Sequence, residues 1–113
     1  MKLLSGHRAF LLQRLSAVVL LAGLAAGALR LAFGSPVTFA QWQAWSAQPL
    51  GAGVLLVLAV AVLAHAWVGM RDVVLDYIHP LGPRVALLGA VAGGLVFLAA
   101  WTMLIVVKHA MAA

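Results

Sequence analysis

The sequence predicts an all-α membrane protein with three transmembrane helices, its N-terminus cytoplasmic and its C-terminus periplasmic. Three observations carry that prediction. Hydrophobic residues fill 66% of the 113 positions and charged residues only 8%, against roughly half and a quarter in soluble domains. Three apolar runs, approximately residues 15–33, 51–70 and 85–107, each reach the roughly 20 residues that cross a hydrocarbon core of about 30 Å. Lipid offers no partner to backbone N–H and C=O groups and three spans cannot close a barrel, so each run is helical. A soluble fold of this size buries only about 60–70% of its surface and could not hide so many apolar side chains. No internal repeat or low-complexity linker divides the chain, so residues 1–113 read as one membrane domain.

The first span is preceded by Lys2, Arg8 and Arg14 and is closed by Arg30. A basic segment before an apolar run also describes a cleavable leader, but this run is longer than the usual apolar region of one, and "ALRLAFGSP" has no clean A-x-A site. The span is expected to be retained. Arg71 and Arg84 lie between the second and third spans, whereas the opposite side holds only Arg30 and Lys108. The positive-inside rule therefore places the N-terminus in the cytoplasm. The same rule accounts for the net charge of +5 and removes the need for a nucleic-acid partner.

The connection after the first span, "GSPVTFAQWQAWSAQP", carries no Lys or Arg. Its Trp42 and Trp45 suit the outer headgroup belt, where an amphipathic ring has both its environments. Gly23 and Gly27 in the first span, and Gly89 and Gly93 in the third, have the small-xxx-small spacing of close helix packing.

The second span holds His65, the only titratable residue well inside an apolar run, about five residues or 8 Å from its inner end. An ionisable group at that depth marks a candidate functional site. A neutral imidazole hydrogen-bonded across a helix interface, a haem ligand and a station in a proton relay are all compatible with it. A helical wheel places Gly69, Asp72 and Asp76 within about 40° of His65, a polar stripe leading to the cytoplasmic surface. Gly69 removes side-chain bulk where a flat cofactor or another helix comes close. With no cysteine in the chain, any metal rests on His, Met or carboxylate ligands. If iron binds His65 in a bis-histidine site, the second imidazole must come from another subunit. His7 and His79 fall at or beyond the inner boundary, and His109 follows the third span on the outer side.

Asp76, Tyr77 and His79 mark the point where the second helix leaves the membrane, and Pro80 and Pro83 block its regular continuation. Tyr77 suits the interfacial belt. Equally, its phenol can donate to a quinone carbonyl while Asp76 conducts protons from water. Arg71 and Asp72 can form a solvated ion pair, and Arg14 a topological anchor. Either guanidinium also has the geometry to bind a haem propionate.

"QRLSAVVLL" opening the first helix and "HAWVGMRDVVLDYIHP" ending the second resemble the small hydrophobic membrane-anchor (D) subunit of bacterial succinate dehydrogenase. The resemblance spans nearly the whole chain, and its most specific element is a histidine followed at +4 by glycine and at +11 and +12 by Asp-Tyr. It implies a subunit of succinate:quinone oxidoreductase in the bacterial inner membrane. There a flavoprotein subunit oxidises succinate, an iron–sulfur subunit relays the electrons, and two membrane subunits bind ubiquinone or menaquinone. By the same resemblance, His65 is one axial ligand of haem b, the cytochrome b subunit supplying the other. Tyr77 and Asp76 are the quinone-site residues, and Arg14, with His7 as a weaker match, lies near the haem propionates; Arg71 departs from the family pattern and is a near-haem candidate through its guanidinium alone. No residue is expected to be catalytic in the isolated chain.

Three other roles compete. The same architecture can run as quinol:fumarate reductase, since direction depends on potentials set largely by other subunits. A small proton-coupled transporter would use His65, Asp72 and Asp76, although no acid lies deep within a span, where such carriers place one. A purely structural anchor would use His65 only for packing.

Overall fold

The computed structural model describes residues 6–112, and Lys2, one of the predicted topological cations, lies outside them. Four helices follow one another: α1 (Gly6–Phe33), α2 (Phe39–Ala47), α3 (Pro49–Tyr77) and α4 (Leu81–Ala112). The three long ones contain the predicted spans and are long and apolar enough to cross a membrane. Each overruns its apolar run. At 28, 29 and 32 residues, the helices extend about 42 to 48 Å at 1.5 Å per residue, well beyond a hydrocarbon core of about 30 Å. The extra turns are the polar ones, Gly6 to Arg14 on α1 and Arg71 to Tyr77 on α3, where hydropathy ends but backbone hydrogen bonding continues. His65 therefore stands about 18 Å from the end of α3, of which the first 8 Å or so lie within the apolar run and the rest in the polar turns beyond it.

The connection expected between the first two spans contains a helix of its own. Thr38 caps it reciprocally: its Oγ1 accepts from Gln41 N at 3.2 Å, and Gln41 Oε1 accepts from Thr38 N at 3.0 Å. Gln48 ends α2 and starts α3 in extended backbone, with Pro49 in the first turn, where its missing N–H costs nothing. The bend is tight enough that a Cβ on Gly51 would overlap the Trp45 carbonyl. Trp42 and Trp45 sit 5.5 Å apart, ring centre to ring centre, with exposed faces, as interfacial aromatic residues require.

At the other end α3 stops at Tyr77, before Pro80, and α4 begins at Leu81 with Pro83 in its first turn. Arg84 holds this corner. Its Nε donates to Ile78 O at 2.9 Å and its Nη2 to Leu75 O at 2.7 Å, satisfying carbonyls that the end of α3 leaves without helical partners.

The helices form an open layer in which α3 packs on both α1 and α4 while α1 and α4 do not meet, and α2 rests on α3 and α4. Very little is buried: Ala9, Ala52, Ala61 and Val68 are the buried apolar side chains among the described residues, and α4 contributes none. Only one of the expected glycine seams closes within the chain. A Cβ on Gly23 would overlap the Leu58 side chain of α3, but Gly27, Gly89 and Gly93 face open space. The reason is the layer itself, which leaves one side of each outer helix without a neighbour.

Candidate functional site

α1 runs up and α3 runs down, so the start of α1, the end of α3 and the start of α4 share one end of the molecule. Arg8, Arg14, Arg71 and Arg84 gather there, with Arg30 and Lys108 at the far end. The charge asymmetry read from the sequence thus becomes an asymmetry between two ends of one body.

His65 lies in the α1–α3 interface, half-buried, its Nδ1 3.2 Å from Ser16 Oγ. Ser16 is 5% exposed and its hydroxyl donates to Gln13 O at 3.0 Å, one turn earlier on α1. The other ring nitrogen, Nε2, has no hydrogen-bond partner among the described residues. Gly69, one turn along α3, faces Gln13 across the same interface, where a Cβ would come no closer than 4.0 Å to Gln13 Nε2. The close neighbour at Gly69 is therefore helix α1.

Between this pair and the basic end, Gly6, Ala9, Phe10 and Gln13 of α1 and Val68, Arg71 and Asp72 of α3 line a cleft of about 250 Å³. Arg71 Nη1 and Gln13 Oε1 are buried there without hydrogen-bond partners. Arg71 and Asp72 make the expected ion pair, but at 3.8 Å it is long, and the Asp72 side chain is 57% exposed. At that separation the pair is weak, and Arg71 retains unused donors.

The remaining candidates stand apart from His65. Arg14 is exposed, its guanidinium 5.1 Å from the centre of the Phe10 ring. His7 is exposed on the first turns of α1, about 14 Å along the axis from Ser16. Asp76 and Tyr77 occupy the last turn of α3, both exposed, about 16 to 18 Å along the helix from His65. His79 follows in the corner held by Arg84, and His109 belongs to the opposite end, where its Nε2 lies 3.0 Å from Ser46 Oγ and 3.1 Å from Gln43 O. None of these three other histidines can stand opposite the His65 ring.

Sequence reasoning missed Ser16, Gln13 and Arg84 as site-building residues, and the clasp that ties α2 to α4 through Ser46 and His109. A serine inside an apolar helix is a signal for the first, because its hydroxyl must find a partner in lipid. Nothing local announces that the partner is 49 residues away.

Comparison with curated proteins gives no match. A family model does match, over residues 2–103, and its description is "Succinate dehydrogenase/Fumarate reductase transmembrane subunit". That span takes in all of α1, α2 and α3, most of α4, and every candidate site residue from His7 to Tyr77. The chain belongs to the succinate dehydrogenase/fumarate reductase transmembrane subunit family.

Proposed function

We propose that the chain is a membrane-anchor subunit of succinate:quinone oxidoreductase, holding haem b between His65 and a histidine of the cytochrome b subunit and lining the quinone site with Tyr77 and Asp76. One observation carries the reading: His65 is half-exposed within the apolar stretch of α3, one ring nitrogen engaged by Ser16 and the other without a partner, while the chain's other three histidines are out of reach. An imidazole with a free nitrogen and an open side is a suitable axial donor to haem iron. A bis-histidine site built on it needs a second subunit, as family membership also supports.

When bound, haem b supplies a one-electron centre within the membrane. The chain's own residues do the rest. Arg71, with unused donors in the α1–α3 cleft, and exposed Arg14 offer positive charge for the haem carboxylates, and exposed His7 offers a ring N–H donor. Tyr77 donates its phenolic hydrogen to a carbonyl oxygen of ubiquinone or menaquinone, which orients the ring and stabilises charge as it develops there. Asp76, beside it at the wet end of α3, holds and passes the protons that quinol formation consumes. The four arginines at this end support a cytoplasmic position for it under the positive-inside rule, and the bacterial inner membrane is the one that the proposed complex would occupy. There it meets the iron–sulfur subunit, with the flavoprotein subunit beyond. Residues 1–113 act as one membrane domain. Family membership is equally consistent with succinate oxidation and with fumarate reduction by the same parts, the direction being set largely by potentials in the other subunits.

The test is purification of the assembled complex through a tagged copy of this chain from native membranes. Expected are copurifying flavoprotein and iron–sulfur subunits, succinate-dependent quinone reduction, and a haem b spectrum that His65→Ala alters or abolishes. A chain recovered alone and inactive, under conditions that keep respiratory complexes intact, would overturn the anchor role. An unchanged spectrum in His65→Ala would remove His65 as the ligand.

A further inference from the structure

We infer that Ser16 is a positioning residue for His65: it fixes the tautomer and ring orientation of the imidazole and lowers the reduction potential of the iron that the ring ligates. The inference rests on the haem reading above and extends it to a residue on a different helix.

The protons decide it. A carbonyl oxygen only accepts, so at 3.0 Å from Gln13 O the single Ser16 hydroxyl proton points to that carbonyl. Ser16 Oγ then has only lone pairs left for His65. A ring nitrogen 3.2 Å away must be the donor, and Nδ1 therefore carries the proton. In a neutral imidazole this leaves Nε2 as the nitrogen with a free lone pair. The ring is thus held in the tautomer that ligates metal through Nε2, before any metal is present.

The same geometry bears on the iron's electronics. An N–H that donates a hydrogen bond makes the opposite ring nitrogen a better electron donor, as partners behind metal-bound histidines generally do. A serine oxygen is a modest acceptor, but this one has its own proton drawn towards Gln13 O, and chained hydrogen bonds polarise one another in a low-dielectric interior. A more basic axial ligand favours the ferric state and so lowers the potential. Position fits this role, because Ser16 is 5% exposed and the contact is shielded from water.

Two kinds of measurement test the assignment. In the full chain in lipid bilayers, with ¹⁵N-labelled histidine, the His65 ring should carry its proton on Nδ1; a proton on Nε2 instead would overturn the inference without reference to haem. In the assembled complex, redox titration of haem b and the g values of the ferric low-spin signal should be compared among Ser16→Ala, Ser16→Val and Ser16→Thr. Thr and Val share a shape and differ in the hydroxyl, so Thr controls for packing. Expected are a shift of the midpoint to higher potential and altered g values in Ala and Val, with Thr close to the parent. Parent-like values in Ala or Val, or an equal shift in Thr and Val, would overturn it. The two readings fail separately. A haem spectrum indifferent to His65→Ala sinks haem ligation, whereas a spectrum that needs His65 but ignores Ser16 sinks the positioning role alone.

Discussion

Tyr77 presents 77% of its surface at the end of α3 and makes no hydrogen bond among the described residues, so a change there should act on what docks against it. Tyr77→Phe removes one neutral hydrogen bond, worth about 1 kcal/mol, which corresponds to about a fivefold loss of quinone reduction. Succinate oxidation by soluble artificial acceptors should stay near the parent rate in the same preparation, and an equal loss of both activities would contradict a direct quinone contact. Arg71 differs because its Nη1 is buried without a hydrogen-bond partner, with Asp72 3.8 Å away as a long ion pair. Arg71→Gln removes a desolvated charge along with its unused donors. If the cleft receives a haem carboxylate, the variant should bind haem less tightly, measured as haem per complex after detergent washing.

At the scale of elements, two corners have opposite tolerances. A side chain on Gly51 meets the backbone carbonyl of Trp45, which cannot turn aside, whereas one on Gly23 meets the mobile end of Leu58. Gly51→Ala should cost about 1–3 kcal/mol through overpacking and Gly23→Ala about 1 kcal/mol or less, read as the difference in thermal dissociation of the complex. Arg84→Met should also lower that midpoint, by an amount on the order of 1 kcal/mol, because it strips the donors from Ile78 O and Leu75 O. These corners show what could be read beforehand. Hydropathy located the three spans but not their ends, because the polar turns of α1 and α3 stay helical outside the apolar layer. The short helix α2 was present in the text as Thr38-x-x-Gln41, with Pro49 opening α3, a capping signature hidden among the tryptophans that suggested only an interface. His65 was legible because it is alone in its span. Ser16 was not, since its partner is fixed by how α1 and α3 meet and by nothing in its own turn.

For the molecule as a whole, the open layer is the governing fact. With α4 burying no residue and Gly89 and Gly93 facing open space, a neighbouring helix could approach as closely as small-xxx-small pairs allow. Gly89→Leu with Gly93→Leu should therefore leave the helix content of the isolated chain unchanged by circular dichroism while reducing the amount of assembled complex recovered. A final consequence concerns the order in which the chain is made. At about 5–20 residues per second, the 49 residues from Ser16 on to His65 take several seconds to emerge, and α1 spends that interval without α3. Its serine is not stranded, because the hydroxyl already rests on the Gln13 carbonyl of its own helix. His65, whose hydrogen-bond partner lies on α1, is the one synthesised second. The nascent chain thus sends the self-sufficient helix into lipid first and delivers the dependent one to an acceptor that is already waiting.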